Sequence, residues 1–288
     1  MVVLCSPGSW YFRDLKRAAE GRHEVVPAAF DRLSSTIEGG RVRIQCGEHD
    51  LAAADAVLVR TMPPGTLEQV VFRMDALARL EAIGVRVVNP ARAVEAAVDK
   101  YLASTKLAAA GLAHPTTIAC QGWEEAMVAF DRLGGDVVVK PLFGAEGRGI
   151  ARVSDEAIAL RVFKTIAQLG AVIYVQQFIE HEGADLRVLI IGRRALAMRR
   201  ENATDWRTNV GRGATTSPVE LTDELVELAR RAADAIGAPV AGVDLLPARD
   251  GGLYVLEVNA VPGWQALART LNADIARLVI DYCAGELM

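Results

Sequence analysis

The segment VAGVDLLPARDGGLYVLEVNAVPG, residues 240–263, decides how this chain folds. Two apolar runs flank ARDGG, and Asp-Gly is the strongest short hairpin signal because its residues reach positive φ readily. The segment is therefore predicted to be a β-hairpin. With Asp250 and Gly251 as the loop, Arg249 faces Gly252 across the strands and Asp244 faces Glu257. Side chains alternate along a strand. Asn259 thus shares the face of Glu257, while Val243, Leu245, Leu256 and Val258 turn to the other. Opposed carboxylates repel, and burying an unpaired one is costly. A hard divalent metal would supply the missing positive charge, and so would arginine or lysine from elsewhere in the chain. Magnesium takes one or two protein carboxylates and completes its shell with water and nucleotide phosphates. Asp244, Glu257 and Asn259 are accordingly candidate metal ligands of a magnesium–nucleotide site.

The chain has 288 residues and a formal net charge of −4, with 32 Lys plus Arg dispersed along it. Nothing in that distribution predicts nucleic-acid binding. Cys5, Cys46, Cys120 and Cys283 lie far apart without a metal-binding spacing, so they read as free thiols. No apolar run approaches the roughly 20 residues of a membrane-spanning helix, and the N-terminus lacks the pattern of a signal peptide. A cytoplasmic enzyme or binding protein without membrane partners is expected.

The first hundred residues alternate short apolar runs (VVLC, EVVPAAF, DAVLVR, VRVVN) with helical patterns at 9–20 and 66–83, the rhythm of a parallel α/β sheet. Two helical stretches follow in NPARAVEAAVDKYLASTKLAAAGL, closed by Gly111, then the strand TTIA and a helix at 123–133. The segment DVVVKPLFGAEGRGIARV reads as strand, glycine-rich turn and strand. After it come a helix at 154–168, the strand VIYVQQFI, strands at 186–192 and 195–200, a helix at 221–237, the hairpin, and helices at 264–270 and 273–284.

Several segments carry chemistry. Lys140 ends an apolar strand, and the loop Gly144–Gly149 leads into another strand rather than a helix, so it departs from Rossmann and P-loop phosphate sites. It reads as a hairpin flap whose amides, Gly147 among them, cover phosphates while Lys140 supplies a point charge. YVQQFIEHEGADLRV joins an apolar strand end to Asp185 and Arg187, the mixture that an adenine slot with a ribose acceptor needs. RRENATDWRTNVGRG gathers Arg200, Arg207, Arg212 and Asn209 in a loop able to hold phosphate and an anionic substrate. The stretch SPGSWYFRDL is a candidate lining of the acceptor site.

The ordered set, Lys100 in VDKY, Lys140 in VVVKPLFGAEGRGI, QQFIEHEGADLRV, RTNVGRG, Asp244 and LEVNAVPG, resembles the ATP-grasp superfamily and within it the RimK-like glutamate ligases. The resemblance covers the whole chain. It implies a pre-ATP-grasp α/β domain at 1–97, a central small subdomain at 98–180 and a C-terminal subdomain at 181–288, with nucleotide between two sheets. Carried over residue by residue, Lys100 and Lys140 contact ATP phosphates. Gln177, Phe178 and Ile179 line the adenine hinge, and Asp185 holds the ribose. Asp244, Glu257 and Asn259 hold magnesium, or manganese in its place. Arg207 and Asn209 touch nucleotide and amino acid, while Arg187, Arg200 and Arg212 face phosphate or the acceptor. Two departures are Gln177, where relatives have an acidic residue, and Ala214, where they continue with glycine.

The implied reaction activates an acceptor carboxylate as an acyl phosphate at the expense of ATP, and the amine of an amino acid, expected to be L-glutamate, displaces phosphate. The expected acceptor is a small-molecule carboxylate, a tetrahydromethanopterin-like pterin coenzyme included. Phosphoryl transfer without ligation, glutamylation of a protein C-terminus and a non-catalytic nucleotide scaffold are the rival readings. A homo-oligomer is usual for such proteins.

Overall fold

A computed structural model of the protein describes residues 1–144 and 147–287, and all of their side chains but that of Arg212. Ala145 and Glu146 of the glycine loop lie outside the described residues, as does the Arg212 side chain assigned to the acceptor.

Short β-branched runs form the first sheet, from β1 (Val2–Leu4), β2 (Val26–Ala28), β6 (Ala56–Val59) and β7 (Arg86–Val88), all parallel and ordered β2-β1-β6-β7. Helices α1 (Trp10–Ala19) and α2 (Leu67–Ala82) start at Ser9 and Thr66, whose hydroxyls accept from backbone amides of the first turn, satisfying donors a helix start leaves unpaired. This is the predicted βα rhythm. Between β2 and β6 the sequence reading assigned nothing, yet β3 (Leu33–Glu38), β4 (Arg41–Cys46) and β5 (His49–Asp50) form an antiparallel meander. Its first turn is Gly39-Gly40, both at positive φ, a hairpin signal legible in the sequence.

The second sheet runs β10 (Ala151–Val153), β9 (Val137–Lys140), β11 (Ile173–Gln177), β8 (Thr117–Cys120), antiparallel throughout. Val137, Val139, Ile173 and Val175 pack under α5 (Trp123–Arg132) and α6 (Glu156–Gln168) through Phe130 and Phe163. The two-residue period then puts Val138, Lys140, Tyr174 and Gln176 on the opposite face. The strand–turn–strand reading of the Lys140 segment is what the β9–β10 register shows.

The third sheet, also antiparallel, is ordered β14 (Thr215–Pro218), β13 (Arg194–Glu201), β12 (Ala184–Ile191), β15 (Val240–Pro247), β16 (Leu253–Asn259). One face, with Val188, Ile190, Val243, Leu245, Val255 and Val258, is covered by α3 (Ala91–Val98), α4 (Lys100–Ala109) and α7 (Asp223–Ile236). The other face is divided. Leu189, Ile191, Met198 and Val240 pack on the N-terminal sheet together with α8 (Gln265–Leu271) and α9 (Ile275–Cys283), while Asp185, Arg187, Arg200, Asp244 and Glu257 crowd the remaining half. Asn89, just after β7, joins the first and third sheets: its amide nitrogen donates to the carbonyls of Val240 (2.6 Å) and Ala260, and its oxygen accepts from Val240 N (3.0 Å).

The hairpin is present, and Asp244 does face Glu257, but the loop differs from the expected one. Ala248 pairs with Gly252 around Arg249, Asp250 and Gly251, which shifts the register so that Leu245 faces Val255. A β-bulge between Asp244 and Leu245 then restores the Asp244–Glu257 pairing. The bulged residue is Leu256. It was expected on the apolar face and lines the cleft instead, because an extra residue interrupts alternation.

Cys5, Cys46, Cys120 and Cys283 are free thiols, as the spacing predicts. Among the described residues no helix is long and apolar enough to cross a membrane.

Candidate active site

The polar half of the third sheet faces Lys140 and Gln176 of the second across a cleft that is open to solvent. Lys140, Gly147, Gln177, Phe178, Ile179, Asp185, Arg200, Arg207, Asn209, Asp244 and Glu257 all line it. Lys100, Arg187 and Asn259 of the expected set lie beside it.

Two lysines approach Glu257 from different elements. Asp99 caps α4 through the amides of Tyr101 and Leu102, which fixes Lys100 at the first helical position, where its ammonium donates to the carbonyl of Gly144 at 2.9 Å. Lys140 is half-buried and donates to Gln176 Oε1 at 2.5 Å. Burial pushes the Lys140 ammonium down to about 8 against the pull of Glu257, and the nearby charge of Lys100 acts in the same direction as burial. Burial likewise lowers Lys100, again opposed by Glu257. Gln176 is itself held by Thr117 Oγ1 and the Tyr174 hydroxyl, and Tyr174 by Ser104 on α4 at 2.8 Å. A neutral network thus presents a cation to the cleft without neutralising it. Gln176 escaped the sequence reading, although it shares the strand face of Lys140.

The arginines of β12 and β13 pair with aspartates directly across the sheet. Arg200 makes two hydrogen bonds to Asp185 (2.7 and 2.5 Å), and Thr208 adds a third at 2.5 Å. Arg187 forks onto both oxygens of Asp244, and Arg200 stands 3.0 Å from the same carboxylate. Burial opposes ionisation of Asp244, yet the two guanidiniums prevail and hold it below the ordinary carboxylate range. Asp185, expected at the ribose, therefore has its carboxylate turned onto Arg200 and Thr208. Arg187 and Arg200, expected at phosphate or acceptor, are engaged with aspartates.

The donor chemistry fits magnesium unevenly. Glu257 is half-buried in the cleft wall beside Lys140 and Lys100. Asn259, on the same face, accepts from Val261 N through one lone pair of its side-chain oxygen. Those oxygens suit a hard cation, whereas the oxygens of Asp244 are engaged by arginines. Among the described residues no group of three or more His, Cys, Asp or Glu side chains is close enough to hold a metal by itself.

At the far end of the cleft, Phe178 meets Trp206 edge-on with ring centres 5.8 Å apart, and Arg152 lies 3.5 Å over the Phe178 ring. Pro115, His181, Trp206, Leu246 and Leu256 complete an apolar-to-aromatic slot that the sequence reading did not assign beyond Gln177–Ile179. The aromatic Trp206 inside a polar loop was the available signal. That loop is organised by Asn202, whose side-chain oxygen accepts from Thr204 and Asp205 amides. Arg207 bonds Asp205 and reaches the carbonyl of Ile150 at 3.2 Å, tying the loop to the glycine-rich hairpin.

Residues 97–283 match the model of the RimK-like ATP-grasp domain. The tetrahydromethanopterin:alpha-L-glutamate ligase of Methanosarcina acetivorans is 32% identical, over 99% of this chain and 98% of that protein. The enzyme of the same name from Methanococcus maripaludis is 30% identical over 98% and 96%. In fold, the chain superposes on the ATP-grasp ligase PsnB complexed with minimal precursor, Mg and ADP with a TM-score of 0.77, covering 100% of this chain and 97% of that one at 21% identity. The facing antiparallel sheets, the paired lysines and these similarities agree: the chain belongs to the RimK-like ATP-grasp family and is an ATP-dependent ligase.

Proposed function

We propose that the protein joins an acceptor carboxylate to the amine of L-glutamate, cleaving ATP to ADP and phosphate, and that the acceptor is a small molecule of the tetrahydromethanopterin type. The observation that carries this reading is the convergence of Lys100 and Lys140 on Glu257 at one end of a cleft whose other end is aromatic. Such a cleft suits a purine with a polyphosphate. Residues 98–180 and 181–288 then act as the two jaws.

In this reading a carboxylate oxygen of the acceptor bonds to the γ-phosphorus as the bond to the β–γ bridging oxygen breaks, releasing ADP. The amine attacks the acyl carbon, phosphate leaves, and the amine loses a proton to solvent. Lys100 and Lys140 hold the phosphate oxygens, and Glu257 and Asn259 would hold a magnesium ion, which when bound would supply neutralising charge at the transferring group. Arg187 and Arg200 release Asp244 to that ion only if they turn toward substrate anions, so Asp244 serves first as their anchor. Asp185 positions Arg200 in place of the ribose contact. The amides of Gln177 and Phe178 already bond Thr116 and Asp136 carbonyls, which leaves the Ile179 amide and the hinge carbonyls for the purine edge. Arg207 and Asn209 border the triphosphate, and Gly147 in the hairpin flap helps exclude water that would hydrolyse the acyl phosphate.

The test is incubation with ATP, magnesium, L-glutamate and a panel of pterin and other small carboxylates, with products read by mass spectrometry and hydroxylamine added as a trap. ADP, free phosphate and a product heavier by one glutamyl residue are expected, with a hydroxamate when glutamate is omitted. A product that retains phosphate would make the protein a kinase and overturn the ligation.

A further inference from the structure

Arg60 follows β6 directly and is 7% exposed. Its guanidinium lies 4.7 Å from the centre of the Tyr11 ring and 4.3 Å from that of Trp264, two rings that meet edge-on with centres 4.9 Å apart. Its Nε has no hydrogen-bond partner, and among the described residues no carboxylate pairs with it. The groups that bear on its charge are the phenol of Tyr11 and the thiol of Cys5, and burial lowers it to about 10. Stacking on two rings returns less than the desolvation of an unpaired guanidinium costs. Of the other buried arginines, Arg200 has Asp185 and Arg73 donates to the Pro63 carbonyl at 2.7 Å, so the unpartnered Nε of Arg60 calls for a separate explanation.

Its position supplies one. In the order β2-β1-β6-β7 the chain leaves β1 toward β2 on one side and later toward β6 on the other, so the crevice between the carboxyl ends of β1 and β6 is the switch point at which open α/β sheets bind ligands. Arg60 stands at that point. The turn after β1, Ser6-Pro7-Gly8, is exposed, and α1 begins directly after it at Trp10. The far wall is the segment that follows Asn259. Trp264 is fixed there by a bond from its indole nitrogen to Asp14 at 2.9 Å. A Cβ on Gly263 would come 2.6 Å from the Tyr11 hydroxyl, so a larger residue there would push Tyr11 from its place beside the guanidinium.

Tyr11 and Trp264 meet each other edge-on, so both rings lie to one side of Arg60, and its forked edge, the part that binds a carboxylate, keeps its Nε unpartnered. We propose that Arg60 forms a carboxylate-binding subsite between the N-terminal sheet and the β16–α8 segment, holding a carboxylate of one of the two joined substrates. The proposal rests on the ligase reading above for its choice of ligand.

Its test needs no turnover. Wild type, Arg60→Met and Arg60→Lys are titrated without ATP by calorimetry, with glutarate (two carboxylates, no amine) and with L-glutamate, at matched chloride. Wild type should bind at least one of them. Arg60→Met should bind it at least about tenfold more weakly while melting no lower, because an unpaired buried charge has been removed. Arg60→Lys, which keeps the charge and loses the fork, should fall between. Dependence seen with glutarate assigns the acceptor carboxylate, and dependence seen with L-glutamate alone assigns the amino acid. Absence of binding to wild type overturns the proposal, as does equal binding by all three proteins. A Met variant that melts lower, alongside a Lys variant that binds as wild type does, makes Arg60 a packing pillar and overturns it too. A failed hydroxamate assay would sink the ligase reading and leave Arg60-dependent carboxylate binding standing.

Discussion

At the scale of single residues, Lys140 shows how the fold sets a charge. Half-buried and bonded to a neutral amide, its ammonium is lowered to about 8 by desolvation, so it is charged below that pH and loses its proton as pH rises through it. If the charged form receives ATP, kcat/KM for ATP, which reports the free enzyme, should fall about tenfold per unit above that pH. Lys140→Arg, permanently charged, should abolish that limb; an unchanged profile would detach Lys140 from nucleotide binding. Glu257→Gln keeps the shape of the side chain and removes the charge facing both lysines. It should lower ADP release by about two to three orders of magnitude with the fold retained by circular dichroism. The sequence singled out both residues, one ending an apolar strand and the other inside one. It did not single out Gln176, because a glutamine in a strand announces nothing until its partner is known.

At the scale of elements, the pairing of strands decided what the charged residues do. Asp185 and Arg200 are direct neighbours across β12–β13, and Arg187 and Asp244 across β12–β15, where opposite charges attract most strongly. Removing one member of such a buried set is severe: Arg200→Met strands Asp185 and weakens the hold on Asp244, and should cost about 3–5 kcal/mol of stability, read as a lower urea midpoint. Gly183 makes a second element-scale case. Its φ is +74, and a Cβ there would stand 2.8 Å from the Asn202 carbonyl. Gly183→Ala should displace the 202–209 loop and raise KM for ATP, and a variant with unchanged KM would separate that loop from nucleotide binding. The alternating strands and the glycine turns were legible. The register of β12 against β15, some 55 residues apart in sequence, was not.

At the scale of the whole molecule, the N-terminal sheet is tied to the third sheet by a shared core and by Asn89. Asn89→Leu leaves the Val240 amide and the carbonyls of Val240 and Ala260 buried without their partner. It should cost about 2–4 kcal/mol, visible as a lower melting temperature, and it should loosen the wall that carries Asn259. Most of the helices and strands, the existence of the hairpin, the two lysines and the family were legible in the sequence, because periodicity, turn chemistry and motif order are properties of neighbours along the chain. Folding in three dimensions settled that Asp244 and Asp185 are held by arginines, that a bulge sets Asp244 opposite Glu257 and turns Leu256 to the cleft, and that Arg60 is buried with no carboxylate paired to it among the described residues. Those outcomes depend on distances between residues remote in sequence, and at such distances Coulomb energy and desolvation outweigh any local preference.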